Sequence, residues 1–463
     1  MITFPPIGIS QSLDTLTLEQ FLSLAQENHI QKDMAMSNKQ TAKLNHTIYQ
    51  ASLKPQIELN ATIPNYSKTF GEVVQPNGSI LFQSVTNNNS SLGIAMSQVL
   101  TKTGGTLFVQ SDLQRFDDFE NNVNWYNGLP IQVGLFQPLL GFNAMKWDKK
   151  LEPIKLQEAQ KQYNADIEAI NGNGVLLYFD LLTAHQNLEI AIVNKASNQS
   201  LYKIAEERFA LGKISKSDLM QLELGLVSAE KDKRRALQAV KQASAALYVF
   251  LGHENKGEII TPKIPMVMDS LHIDSKVAIA EAYKNRPEIE RYERLMLEAK
   301  RGIDKAKKES GLQANLTASF GFARSSKQLS EVYGDAQQSQ SLQLRLTMPI
   351  MDWGQQKARK EQAAVNRNYI GKQIAQDKLE FENEIFQNIQ RFHDAQEQLT
   401  LVAEIQALAQ SRFDIIQQSY VLGAISITDF TLAQREKDST LRDYIATLNL
   451  YWQYYYELKR LTL

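Results

Sequence analysis

The sequence predicts a mainly α protein with β-structure, built from two copies of one unit that runs helix, strands, very long helix, returning helix. Three observations predict it. Two motifs recur at one shared offset, short runs alternate apolar with polar residues, and apolar residues then keep a helical period for about 70 residues.

The repeat fixes the order of everything else. Phe136-Gln137-Pro138 returns as Thr347-Met348-Pro349, and Leu211-Gly212-Lys213-Ile214-Ser215-Lys216-Ser217-Asp218 returns as Leu422-Gly423-Ala424-Ile425-Ser426-Ile427-Thr428-Asp429. Both separations are 211 residues, kept without a gap between motifs about 75 residues apart. Unrelated helices sharing a glycine turn would rarely do this. The first unit is placed at 1–251 and the second at 274–463, with 252–273, carrying Pro262 and Pro265, read as a linker.

Each unit opens with a helix of about 35 residues, expected over 18–53 and 274–309. Strands follow within 55–138 and over 312–350. Ile57, Leu59, Ala61 and Ile63 share one face against Glu58, Asn60 and Thr62; Leu312, Ala314, Leu316, Ala318, Phe320 and Phe322 oppose Gln313, Asn315, Thr317 and Ser319. The returning strands carry Ile131, Val133 and Leu135 in one unit and Leu342, Leu344, Leu346 and Met348 in the other. Period two marks a strand because successive side chains leave a pleated ribbon on opposite faces. The first unit also has room for another hairpin, with Ser91 to Val99 descending, Gly104-Gly105 turning and Thr106 to Gln114 returning. Four or six strands per chain both stay open, as does an outer loop or collar. Pro76-Asn77-Gly78 reads as a turn and Asn87 to Asn89 as a surface loop.

Past Pro138 and Pro349 the period becomes helical, predicting long helices at 143–211 and 354–422. At about 1.5 Å per residue each reaches roughly 100 Å, so each needs partners along its length. Leu156, Tyr163, Ile170, Leu177, Ala184 and Ala191 keep a heptad in the first; Ile385, Phe392, Leu399 and Phe413 keep one in the second, interrupted by Gln406. Gly172 and Gly174 weaken the first helix by about 1 kcal/mol each relative to alanine and mark a place for a kink, yet both helices are read as long. Gly212 and Gly423 end them as left-handed caps, giving tips at 211–217 and 422–428 and return helices at 217–251 and 428–461. Tyr451, Trp452, Tyr454, Tyr455 and Tyr456 close the last helix, either as an aromatic belt near a membrane or by packing against the other helices.

Two strand pairs bury little apolar area and leave exposed edges. Joining copies into one closed barrel removes the edges, and it gathers the amphipathic helices into a ring around a solvent-filled bore. Composition agrees with this. Lysine plus arginine number 50 against 51 acids, which leaves no positive excess for a nucleic acid. Cysteine is absent, which suits an oxidising compartment and removes thiolate chemistry. No run of about 18 apolar residues occurs, which excludes a spanning helix and leaves a barrel open. Met1 to Ser10 lacks the basic start and apolar core of a signal peptide, so an exported protein would here be numbered in a processed or recombinant form.

The motifs LFQPLLGFNAMKW (Leu135 to Trp147) and LTMPIMDWGQQKAR (Leu346 to Arg359) resemble the strand-to-helix passages of TolC-like outer-membrane efflux proteins. RFALGKISKSDL (Arg208 to Leu219) and SYVLGAISITDF (Ser419 to Phe430) resemble that family's periplasmic hairpin tips, and the likeness covers nearly the whole chain. It implies a homotrimer in the outer membrane, with one shared β-barrel and a helical barrel that puts most of the mass in the periplasm; the room for another hairpin in the first unit, a departure from the family, leaves that barrel at twelve or eighteen strands. It also implies a periplasmic adaptor and an inner-membrane transporter as partners, passive efflux or type I export as the role, and no cofactor. Leu211, Gly212, Ile214 and Ser215, with Leu422, Gly423, Ile425 and Ser426, are the implied adaptor-docking residues. Asp218 and Tyr420 match a hydrogen-bonded latch, Asp429 matches one of two lumen carboxylates, and Pro138 and Pro349 mark the passages. The sequence departs from the pattern at Ile425, where an arginine tie is expected, and at Leu432, where the second carboxylate would stand. The plain reading stands beside the gating one: Asp218 and Asp429 are first-turn aspartates favoured by the helix dipole.

Enzyme chemistry finds no support. The histidines at 29, 46, 185, 253, 272 and 393 form no zinc spacing and are read as isolated, and Gly212-Lys213 lacks the rest of a phosphate-binding loop. Glu206-Glu207 and Glu380 with Glu384 read as solvated helix faces. The competing reading is a structural coiled-coil or adaptor-like periplasmic protein with no membrane barrel.

Overall fold

The computed structural model describes residues 15–74, 76–254, 257–267 and 271–462. The reading of Met1 to Ser10 thus lies outside the described residues. The chain runs β1 (Thr15–Leu16), α1 (Leu18–Asn28), α2 (Ile30–Ser52), β2 (Gln56–Thr62), β3 (Tyr66–Val74), β4 (Ile80–Leu100), β5 (Gly105–Asp118), β6 (Val123–Pro138), α3 (Ala144–Ala210), α4 (Lys216–Phe250), β7 (Thr261–Pro262), α5 (Ser275–Asn285), α6 (Pro287–Glu309), β8 (Gln313–Ser326), β9 (Gln337–Thr347), α7 (Gln355–Val421) and α8 (Ile427–Thr462). The halves match in length: α1 and α5 have 11 residues, α2 and α6 have 23, and α3 and α7 have 67.

The single opening helix expected in each half is broken. Backbone at His29 and Arg286 turns extended, with ψ of 129° and 142°. Local chemistry permits both breaks. The His29 ring accepts a hydrogen bond from the Gln31 N–H at 3.0 Å and so caps α2. Pro287 opens α6, where a missing N–H costs nothing.

Two compact units can be distinguished. The first comprises Met1–Lys39, Ala159–Ile289 and Gln376–Leu463, and among its described residues the helices are joined by one two-residue parallel pairing of β1 with β7. Its core joins Leu18, Phe21 and Leu22 of α1 to Tyr178 and Phe179 of α3 and to Tyr451 and Trp452 of α8. The terminal aromatics therefore pack inside this helical unit. Helix α3 runs unbroken through Gly172 and Gly174. Gly174 serves packing, since a Cβ there would lie 2.7 Å from Leu22 Cδ2. Ile385, Phe392, Leu399 and Phe413 of α7 are all buried.

The segment read as a linker is part of this unit. Ile260 is fully buried, and the Tyr178 hydroxyl oxygen lies 2.8 Å from the Leu16 carbonyl and 2.6 Å from that of Lys263, its single proton shared between them. The same oxygen accepts from the Lys263 N–H at 3.1 Å. One side chain from α3 thereby fastens both strands of the β1–β7 pair. The histidines are not all isolated either: His272 and His393 stack with ring centres 5.2 Å apart.

The second unit, Gln40–Glu158 and Glu290–Ala375, holds an antiparallel sheet ordered β2-β4-β5-β6-β8-β9. β3 continues past β2 along the same edge, pairing with the first half of β4. The sheet thus has six strand positions, and the additional hairpin is β4–β5. Asn87 to Asn89, expected in a loop, lie within β4 and pair with Asp118, Asp117 and Phe116 of β5. Asparagine is poor in strands, but strand preference depends on what the side chain meets. Here Asn89 accepts from Gln114 at 2.6 Å, Gln114 from Asn127 at 2.8 Å, and Asn127 from Ser325 at 2.6 Å, an amide ladder across four strands. Among the described residues, no helix is long and apolar enough to cross a membrane.

Candidate functional site

Helices α3 and α7 end in the same turn. At the first tip Gly212 N–H bonds to the Phe209 carbonyl and Lys213 N–H to that of Arg208, both at 2.9 Å; at the second, Gly423 bonds to Tyr420 at 2.9 Å and Ala424 to Ser419 at 3.0 Å. These bonds satisfy the last carbonyls of each helix and need a left-handed residue, which Gly212 and Gly423 supply at φ +70° and +79°. The return helices start with matching caps. Ser215 Oγ accepts from the Asp218 N–H at 3.1 Å, and Ser426 Oγ accepts from that of Asp429 at 3.2 Å.

The caps explain the two aspartates. Asp218 Oδ2 accepts from the Ser215 N–H at 3.1 Å and from its hydroxyl at 2.8 Å, while Asp429 Oδ2 accepts from the Ser426 hydroxyl at 2.7 Å. The hydrogen bond expected between Asp218 and Tyr420 does not form within the protomer, because the aspartate is engaged by the cap. The two groups still influence one another: burial raises the Tyr420 phenol above its ordinary pKa, Arg208 lowers it, and the Asp218 charge raises it.

What joins the tips is a small apolar cluster. Leu201 and Ala205 of α3, Leu222 of α4, Phe413 and Tyr420 of α7 and Phe430 and Ala433 of α8 are buried together, with Ile214 and Ile425 packed against them. Tyr420 and Phe430 rings stand 5.4 Å apart. Leu211 and Leu422 instead project outward, 69% and 84% exposed. Sequence reasoning missed Arg208. Its guanidinium lies over the Tyr420 ring and its Nη2 donates to the Val421 carbonyl at 3.3 Å, so an arginine from the first tip ties the second, whose own expected arginine is Ile425. Only its place in RFALGK hinted at it.

The strand-to-helix passages belong to the other unit. Pro138 is the last residue of β6, and Asn143 then caps α3 by accepting from the Lys146 N–H at 3.1 Å. Pro349 follows β9, and Asp352 caps α7 through the N–H groups of Gly354 and Gln356 at 3.0 and 2.9 Å, bonds that hold its pKa below the ordinary value. Beside this cap Ile350 and Trp353 are 93% and 89% exposed. Trp147 donates to Asp304 at 2.9 Å, fixing the start of α3 to α6.

The family model for outer membrane efflux proteins matches residues 21–253 and 278–462. The chain belongs to the outer membrane efflux protein family. That family consists of transport conduits and not of enzymes. Outer membrane protein OprJ of Pseudomonas aeruginosa is 28% identical over 236 residues, a match spanning 49% of this chain and about half, 48%, of that relative. Two solved structures show the same fold at low identity. The CmeC outer membrane channel of Campylobacter jejuni superposes with a TM-score of 0.70 at 15% identity, covering 96% of this chain and 85% of the other. VceC, an outer membrane protein of Vibrio cholerae, gives 0.69 at 12% identity and covers 96% of both chains.

Proposed function

We propose that the chain is one protomer of a homotrimeric outer-membrane conduit, the exit duct of a tripartite efflux or type I export system. A periplasmic adaptor and an inner-membrane transporter supply and drive the cargo; the duct itself is passive. The sheet carries this reading. One of its faces exposes Ile57, Leu59, Ile94, Met96, Leu342 and Leu344, and its outer strands, β9 on one side and β2 with β3 on the other, have no further partner among the described residues. A polar solvent penalises such a face and such edges, whereas lipid and neighbouring copies satisfy both. The matched lengths of the two halves support a doubled unit whose helices form a periplasmic barrel.

The tips then form the inner aperture. Leu211 and Leu422, exposed beside the tight glycine turns and flanked by Ser215 and Ser426, suit an adaptor's helical hairpin. Asp218, Tyr420 and Asp429 lie around the aperture, which the Tyr420–Phe430 cluster and Arg208 hold together. Projection images of detergent-purified particles test the whole reading. Threefold particles with a central bore are expected, and a water-soluble monomer that needs no detergent would remove it.

A further inference from the structure

The β4–β5 hairpin has no counterpart in the second half of the chain, and its register decides where it belongs. Ile57 of β2 pairs with Met96 of β4, Met96 with Val109 of β5, Val109 with Val133 of β6, and Val133 with Phe320 of β8. This is one unbroken apolar row across five neighbouring strands. The adjacent row, on the opposite face, runs Glu58, Ala95, Gln110, Gln132, Gly321, Ser339 and is small or polar throughout. On it Gln110 donates to Gln132 at 2.9 Å, and Gln132 to Ser319 at 3.5 Å. A collar or outer loop has no cause to keep its apolar residues level and same-faced with those of the strands beside it.

The hairpin also reaches the full depth of the sheet. Its turn is held at the strand–helix junctions: Asn143 donates to the Thr101 carbonyl at 3.0 Å and Gln137 to that of Thr103 at 3.1 Å, while Gln98 donates to the Leu53 carbonyl at 2.5 Å. Gly104, at φ +77°, makes the reversal tight enough to fit there.

We infer that the β4–β5 hairpin is part of the membrane wall, so that three copies of six strand positions close an eighteen-strand barrel. The inference rests on the trimeric-conduit reading above and adds the width of its exit. With strands about 4.8 Å apart and tilted about 40°, eighteen give a barrel roughly 35 Å across between backbones, against roughly 24 Å for twelve. The outer mouth is then wide and lined by amide and hydroxyl groups, so size selection falls to the tips.

The chain contains no cysteine, so single cysteines report without background. Trimers carrying Met96→Cys, Leu107→Cys or Leu344→Cys are reconstituted into vesicles, with Gln110→Cys as the polar-face position. All four substitutions sit on a sheet surface, and retained trimers verify folding. The Met96→Cys and Leu107→Cys variants are expected to match Leu344→Cys: protected from a water-soluble maleimide and, when labelled with a fluorophore before reconstitution, quenched by brominated lipid. Gln110→Cys is expected to react from water and escape the lipid quencher. Water labelling of the two hairpin positions with Leu344→Cys still protected would overturn the eighteen-strand wall and leave the conduit intact. Labelling of all three, with no lipid quenching anywhere, would overturn the membrane sheet itself.

Discussion

The Arg208 guanidinium lies 5.7 Å from the centre of the Tyr420 ring, which joins one residue from each tip across 212 positions of sequence. A cation held at the solvent edge of a ring contributes about 0.5–1 kcal/mol, and the exposed 3.3 Å hydrogen bond to the Val421 carbonyl adds about 0.5–1.5 kcal/mol. Arg208→Ala is therefore expected to loosen the tips and raise single-channel conductance in planar bilayers, with trimers retained. Arg208→Lys keeps the charge but loses the planar fork and should fall between. Conductance equal to the unsubstituted protein would show that the tips are held without it.

The same geometry separates the ring of Tyr420 from its hydroxyl. The ring packs on Phe430, and Asp218 is held by Ser215. Tyr420→Phe should thus leave conductance nearly unchanged, while Tyr420→Ala should raise it. A large effect of Tyr420→Phe would restore the aspartate–tyrosine latch.

In the helical unit, Tyr178→Phe removes the hydroxyl that serves Leu16 and Lys263, while the Lys263 N–H keeps its 3.0 Å bond to the Leu16 carbonyl. A loss of about 0.5–1.5 kcal/mol is expected, read as a lower melting temperature of the detergent-solubilised protein. An unchanged melting curve would mean that the Tyr178 hydroxyl contributes nothing to stability.

Much of this was legible in the residues, for reasons that also explain the gaps. Alternation in β2, β8 and β9 and the glycine turns at Gly212 and Gly423 are local signals, and local signals survive in a sequence. The break at His29 has no Gly or Pro to announce it, whereas the break at Arg286 was legible in Pro287, which disfavours helix in the residue before it, and went unread. Asn87 to Asn89 misled because propensity is a statement about average surroundings, and their amide ladder depends on Gln114 and Asn127, which are distant in sequence. Arg208 and Tyr420, like His272 and His393, meet only through tertiary structure. The Ser215–Asp218 cap, by contrast, has the three-residue spacing of a helix start, so its competing claim on the aspartate was readable beforehand.

Glu230 of α4 is ion-paired with Lys195 of α3 at 2.6 Å and accepts from Arg234 at 3.0 Å, and these two cations hold its pKa near 2. A carboxylate depressed in the folded state stabilises fully above its unfolded pKa of about 4.3 and loses that contribution as pH falls through the folded value. The α3–α4 pairing should therefore tolerate mild acid and weaken between those two pH values. Glu230→Gln should flatten that part of the curve of melting temperature against pH; an identical acid limb in both proteins would remove Glu230 as its source.

The tip glycines test docking apart from folding. Gly212 has open space where a Cβ would point, so a side chain there meets strain only from the backbone, about 1–2 kcal/mol for an ordinary residue held left-handed. Asparagine adopts that conformation more readily, whereas valine combines strain with bulk beside Leu211 and Leu422. The double variant Gly212→Asn with Gly423→Asn should keep trimers and retain most export. Gly212→Val with Gly423→Val should keep trimers, since the tip cluster is small beside the main helical core, yet lose export in cells that supply the adaptor and transporter. Loss of trimers in the valine variant would assign both glycines to folding. Full export by it would show that the partner docks elsewhere on the protein.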